Sequence, residues 1–450
     1  VLSEEEVESL TQVHNDMILF MCERFVSVES DQSSLPIVPG FKCKLLLDSD
    51  NVETEISKFS YMYVLDEPAD SRQTLLRSLH LLYDSFKVSK DINHLVVAGD
   101  GATFKLILDI KQEYGDSMEW LIPYIGDWHL LKNYQEVIMK IFWDSGLKDL
   151  AKSTHKNMTL NSLSTCSNFK RTHRFLLQAH EAILMLQFQC FLDQRNITDD
   201  SEALSNTFFL DSVKSLIQSL VIKDGNIDAS TFKDLQSEFS QSPMFTSMKE
   251  EFLVFRKEMS DKLETFRFWD RFVHEDCMAY IHLFIAIRSR NWHLRNAAVK
   301  EMAPLFQACD RQNYSKMIPL HIGFMQALPD YILRHFENGA FASNIKGTEL
   351  SSLGLDEAHE TTINKDIKMS WSRSLPKNMD RIAGTIQYQA KLISNIQDEL
   401  DVFTPKKIVL HRDLSPSVIK AEFANVKMYF GKLLTTQMFL PNQEPQLYHV

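Results

Sequence analysis

Three short apolar runs, each closed by an aspartate, constrain this chain more than any other feature. They are Leu45-Leu-Leu-Asp-Ser-Asp50, Val96-Val-Ala-Gly-Asp100 and Ile122-Pro-Tyr-Ile-Gly-Asp127. Short apolar runs bounded by turn residues read as buried strands, and a sheet presents at its strand ends whatever side chains close such runs. Between them the period changes: Leu75, Leu76, Leu79, Leu82, Tyr83 and Phe86 recur at helical steps, which predicts a helix over 71–86. Strands are expected at 41–47, 61–65, 94–98 and 120–125, with further helices at 103–114 and 128–150. That alternation is the pattern of an α/β layered sheet.

Beyond residue 150 the strand signal stops. Residues 169–192, 203–222 and 248–287 read as long helices, the last with Phe252, Phe255, Met259, Leu263 and Phe266 at three- and four-residue steps. Asp224-Gly-Asn226 and Gln241-Ser-Pro243 punctuate them. The expected organisation is an N-terminal helical segment at 1–40, opened by the capping box Ser3-Glu-Glu-Glu6 and helical to about Phe25. An α/β core would begin at 41–150, pause for a helical insertion at 151–345 and resume at 346–405. A helical segment at 406–450, with a helix over 415–434, would close the chain; 379–400 also reads as helix. Only 13 glycines and 13 prolines against 30 phenylalanines and 18 methionines point the same way, to a helix-rich protein with a Phe- and Met-filled core.

The net charge of −12 argues against a free-standing nucleic-acid binder, whose footprint is basic, while leaving room for a local basic groove. Six cysteines without a Cys-x-x-Cys pair support neither a zinc site nor a disulfide framework. They fit a reducing compartment, nuclear or cytoplasmic rather than secreted. No apolar run suggests a membrane partner; 182–192 is interrupted by glutamines and reads as a core helix. The chain begins at Val1 rather than methionine, which leaves room for a preceding module.

Carboxylates gathered from distant segments are what phosphoryl transfer with two Mg²⁺ (or Mn²⁺) ions requires: hard oxygen donors about 2.0–2.1 Å from each ion, the ions about 3.5–4 Å apart. Asp50, Asp100 and Glu360 are the candidate metal ligands and catalytic acids. Gly99 and Gly101 would let the chain turn tightly around Asp100. Each acid also has an ordinary use. Asp50-Asn51 and Asp100-Gly101 are turn dipeptides, Asp127 is a natural helix cap, and Glu360 suits an exposed helical face. His129 and His359 sit where first-turn histidines commonly do. No Walker loop, Gly-x-Gly-x-x-Gly, Gly-x-Ser-x-Gly or His-Glu-x-x-His motif offers another chemistry.

Taken jointly, the motifs are more specific. Gly99-Asp-x-x-Thr103, Pro123-x-x-Gly-Asp-Trp-His129-x-x-Lys-Asn133 and Asp356-Glu-x-His-Glu360-x-x-x-Asn364-Lys365 resemble a transposon-associated domain family of fungi and animals. Asp50-Asn51, Arg290-Asn-Trp292 and Phe306-x-Ala-x-Asp310-x-x-Asn-Tyr314 extend the likeness over roughly 40–375. That family resembles RNase H-like DDE transposases of the hAT, P-element and Mutator-like kinds. The resemblance implies an α/β RNase H-like core sheet interrupted by a large all-helical insertion. It also implies Asp50, Asp100 and Glu360 as the metal-holding triad. Asp127, His129, His359 and Asn364 would support it, although Asp127-Trp-His129 is one residue shorter than the Cys- or Asp-x-x-His motif of those transposases.

Two functions follow as expectations. One is a transposase-derived, metal-dependent DNA nuclease or strand-transfer domain. The other is a catalytically inactive descendant that acts as an interaction or DNA-tethering module. DNA is the expected partner in both, and a homo-oligomer is compatible with either. Basic contacts would come from Lys132, Lys170, Arg171, Arg174, Arg288, Arg290 and Arg295, each of which also suits a solvated helix face.

Overall fold

The capping box at the start of the chain forms as its residues dictate. The Ser3 amide donates to Glu6 Oε2 at 2.9 Å and the Glu6 amide to Ser3 Oγ at 3.2 Å, opening α1 (Glu4–Glu29). In this computed structural model the residues described are 1–29, 35–48, 55–57, 65, 67–68, 70–198, 200–223, 226–228, 230–361, 392 and 415–439. After α1 come α2 (Phe41–Asp48), α3 (Arg72–Ser85), β1 (Leu95–Gly99), α4 (Gly101–Tyr114), β2 (Leu121–Ile125) and α5 (Asp127–Phe142). The short α6 (Lys148–Ala151) and α7 (Met158–Ser164) lead to the long α8 (Phe169–Thr198) and α9 (Asp200–Gln218). A hairpin of β3 (Val221–Lys223) and β4 (Asn226–Asp228) precedes α10 (Ser230–Ser240), α11 (Pro243–Lys262) and α12 (Glu264–Arg271). Then follow α13 (Cys277–Ser289), α14 (Trp292–Ala308), α15 (Gln312–Gln326) and α16 (Asp330–Glu337). β5 (Ala342–Ser343), β6 (Leu353–Gly354), α17 (Leu355–Thr361) and α18 (Pro416–Thr436) complete the described elements.

The expected α/β RNase H-like core sheet is not what forms. Among the described residues the sheets are three two-stranded pairs, β1–β2, β3–β4 and β5–β6, and the protein is predominantly helical. The run at 41–47, expected as the opening strand, is helix α2. It holds three leucines and no β-branched residue, and leucine and lysine both favour helix. An apolar run this short is compatible with either period. Most of the strand expected at 61–65 lies outside the described residues, as does nearly all of the helix expected at 379–400. The strands expected at 94–98 and 120–125 do form, as β1 and β2, parallel and in register from Leu95 opposite Leu121 to Gly99 opposite Ile125.

The helical region follows the sequence pattern with sharper breaks, and the helix expected over 203–222 ends at Gln218, with 221–222 in strand β3. The run expected over 248–287 divides into α11, α12 and α13. Leu263 is extended (φ −129°, ψ 117°), and a π turn at Phe272–Asp276 separates the last two helices. Ser242 caps α11 through a 3.2 Å bond to the Phe245 amide, with Pro243 in the first turn. Helix α13 is buried from Cys277 to Arg288, the expected place for a helix that is apolar all round. Phenylalanine packing ties it to its neighbours: the Phe142 ring lies 4.9 Å from both Phe268 and Phe272 and 5.9 Å from Trp269. One apolar cluster runs from Val13 to Phe439. Helix α8 includes a stretch long and apolar enough to cross a membrane, Phe169–Ile197, but most of it is buried inside this cluster.

Candidate functional site

Because β1 and β2 are parallel and in register, both end at the same edge. The Gly126 amide donates to the Gly99 carbonyl at 2.7 Å, so Asp100 and Asp127 leave this edge side by side and start α4 and α5. Asp100 caps its own helix: Oδ1 accepts from the Thr103 amide at 2.8 Å. Asp127 turns inward and is buried. Tyr124 donates its hydroxyl to Asp127 Oδ2 at 2.7 Å, and Arg295 of α14 donates Nε and Nη2 to Oδ1 at 3.0 and 2.7 Å.

Arg295 is itself sealed in. Its guanidinium carbon lies 4.9 Å from the Tyr124 ring centre and 5.5 Å from that of Trp292, and Nη1 donates to His321 Nε2 at 2.8 Å. Burial pushes the Asp127 carboxyl up, while Arg295 opposes that by favouring the carboxylate. Burial would loosen the Arg295 proton, but Asp127 more than offsets this and the net shift is upward. His321 is held well below its ordinary range by burial and then by Arg295, consistent with a neutral ring accepting from the guanidinium.

Helix α5 is preceded by Gly126, which has no side chain to cap it, and the cap arrives from α17. Asp356 accepts from the Trp128 amide at 3.1 Å and the His129 amide at 2.9 Å, and Oδ2 also meets His129 Nδ1 at 2.9 Å. This explains the glycine: a Cβ at position 126 would lie 2.3 Å from Asp356 Oδ2. The His129 side chain keeps 23% of its exposure, so its ring is oriented by a carboxylate and reachable from outside. Asn133 donates to the His129 carbonyl at 2.8 Å and to the Tyr314 hydroxyl at 3.1 Å. The Tyr314 ring packs directly on Gly101, and burial raises its phenol above the ordinary value.

Residues 45–446 match DUF8702, a domain of unknown function. The chain belongs to that family. No curated protein and no solved structure matches it.

Within this DUF8702 chain the edge gathers Asp100, Asp127 and His129 from the residues singled out in the sequence. Helix α17 packs against α5 and brings Glu360, half-buried, and His359, exposed, to the same region. Asp50 and Asn364 lie outside the described residues. Among the described residues, no group of three or more His, Cys, Asp or Glu side chains is arranged to hold a metal ion. The donor chemistry is the more telling point. Asp127 is engaged by a guanidinium and a phenol, and Asp356 by two amides and an imidazole. Glu357 is held by Arg288, whose Nη2 lies 3.0 Å from each of its oxygens. Asp127, Asp356 and Glu357 are thus occupied by the protein's own groups.

The structure also reassigns three basic residues. Arg295 pairs with Asp127, Arg288 pairs with Glu357 and donates to the Ser352 carbonyl at 2.6 Å, and Arg290 donates to the Gly339 carbonyl at 3.2 Å. Sequence reasoning placed Asp356 and Tyr314 only within motifs and Arg295 only among basic contacts, and gave neither them nor Tyr124 a role at this edge. One signal was available for Asp356: an α5 start with glycine at the cap position calls for a carboxylate from elsewhere. Arg295 sits in a mostly apolar helix face, where burial without a partner would be prohibitive.

Proposed function

We propose that this DUF8702 chain is a transposase-type protein that holds nucleic acid without cutting it, its carboxylate edge acting as a folding lock. The observation that carries this reading is the engagement of the acids at the β1–β2 edge by the protein's own groups. Asp127 binds Arg295 and Tyr124, Asp356 caps α5, Glu357 binds Arg288, and one oxygen of Asp100 caps α4. Releasing Asp127 to a metal would strand a buried guanidinium, which is strongly unfavourable. The nucleic-acid half of the reading rests on the likeness of the Gly99–Thr103, Pro123–Asn133 and Asp356–Lys365 motifs to transposon-associated sequences.

A second reading, a metal-dependent nuclease using Asp50, Asp100 and Glu360, is favoured by one observation. Segments far apart in the chain, bearing Asp100, His129 and Glu360, do converge on one edge. The test is nicking of supercoiled DNA in Mg²⁺ or Mn²⁺ by wild type and Asp100→Asn, which keeps a good helix cap while removing the charge. Equal, background-level nicking by both is expected. Metal-dependent nicking by wild type that Asp100→Asn abolishes would overturn the holding-only reading in favour of the second.

A further inference from the structure

On the outer side of the same edge, neighbouring aromatic rings lie between cations. Trp128, in the first turn of α5, is partly exposed, with its ring 4.8 Å from the His129 ring. Lys132, one turn further on, places its ammonium 5.3 Å from the Trp128 ring centre. The ring of Phe169, at the start of α8, lies 5.5 Å from Trp128 and stacks on His173 at 5.9 Å with an interplanar angle of 11°. Lys170 and Arg174 stand exposed on the same turns of α8, one helical turn apart.

The row itself carries cations in an acidic protein. The chain carries a net −12, yet Lys132, Lys170 and Arg174 flank the rings. Glu422, 3.6 Å from Arg174, is the acid paired into the row, and Arg174 remains 63% exposed beside it. Of the acids that α17 brings to this edge, Asp356 and Glu357 are buried and bound by His129 and Arg288, and Glu360 is half-buried. Partly exposed rings bracketed by cations match the chemistry of an unpaired polynucleotide strand, whose phosphates need positive charge and whose bases have faces that stack on any aromatic ring. A duplex hides those faces, so ring stacking would favour a single strand.

We infer that the row from Lys132 through Trp128 and Phe169 to Lys170 and Arg174 is a docking lane for a single-stranded nucleic acid. The inference deepens the holding function proposed above and rests on it for the choice of partner. It differs in naming the surface and the strand state.

The experiment is fluorescence anisotropy with labelled oligothymidylate and oligouridylate of about 20 nucleotides, and a duplex of equal length, in EDTA so that no cleavage intervenes. Salt is varied from about 50 to 200 mM. The full chain is compared with Lys170→Glu/Arg174→Glu, an exposed pair whose replacement leaves the core intact, and with Trp128→Ala. The lane predicts binding of at least one single strand in preference to the duplex. It also predicts at least tenfold weaker binding by the double variant and a salt slope lower by about 1.4, or 0.7 for each lost phosphate contact. Tighter oligouridylate binding would identify the strand as RNA, tighter oligothymidylate as DNA. Unchanged affinity in the double variant, equal or better duplex binding, or no binding at low salt would each overturn the lane. Because binding is read without metal, nicking activity in the separate assay would remove the holding-only reading and leave the lane standing.

Discussion

Replacing Asp127 by asparagine isolates the energetics of the lock. The side chain is buried at 1% exposure and Arg295 at 1%, so neither charge has water to fall back on. Arginine does not release its proton in such a site, and removing one partner of a buried pair costs about 3–5 kcal/mol. Arg295 would keep the His321 acceptor and the faces of Tyr124 and Trp292, which places the expected cost near the lower end, about 3 kcal/mol. Arg295→Met should cost less, about 2 kcal/mol, because burial already pushes the Asp127 carboxyl up and it can take a proton once the guanidinium is gone. With both charges removed, Asp127→Asn/Arg295→Met should be less damaging than the two singles added, by a coupling of about 2 kcal/mol. Urea denaturation of the four proteins, followed by far-ultraviolet circular dichroism at one pH and salt, gives the cycle, provided the transition slopes agree. Singles that add to within about 0.5 kcal/mol would refute the lock as a coupled pair.

Other outcomes follow from the same edge and from the core behind it. Gly126→Ala forces a Cβ to 2.3 Å from Asp356 Oδ2 and should displace the α5 cap, lowering stability by about 1–2 kcal/mol in urea melts. Stability equal to wild type would show that the close approach is easily relieved. His180 is buried, donates its Nε2–H to the Val273 carbonyl at 2.8 Å, and is held down to about 4 by burial. Its unfolded form takes a proton near 6.5, so its neutral folded state is fully tolerated above that pH and destabilising as pH falls from 6.5 towards 4. The loss approaches roughly 3 kcal/mol. His14, also held down to about 4, and His274, held lower, act in the same direction. Buried carboxyls held up by desolvation, Asp276 at about 6 and Asp127 and Glu181 in the same direction, oppose this on acidification. The check is therefore His180→Gln, which should lose less stability than wild type between pH 7 and pH 4; an equal loss would contradict the assignment. Asp100→Asn and the lane variant supply the remaining tests, through nicking and strand binding.

The capping box at Ser3 and Glu6, the ends of β1 and β2, and the helices that follow them are each specified within a dozen residues, where period and cap chemistry operate. The helical breaks at Leu263 and Phe272–Asp276 were not visible, because the apolar spacing continues across them. Helix α2 was misread because a short leucine-rich run satisfies two periods at once, and what surrounds it decides between them. Phe41 and Cys43 are buried in that packing.

The sequence alone determined that acids would sit at the ends of β1 and β2 and that long apolar helices would dominate the rest. Only the tertiary structure decided what those acids do. Asp127 meets Arg295 across 168 positions and Asp356 meets the α5 amides across 227 and 228. No local period or cap rule encodes a partner at that separation, because such pairing is set by which helices pack together. A carboxylate reads the same in sequence whether it faces a substrate or a buried guanidinium; the difference lies in the desolvation that the fold imposes on it.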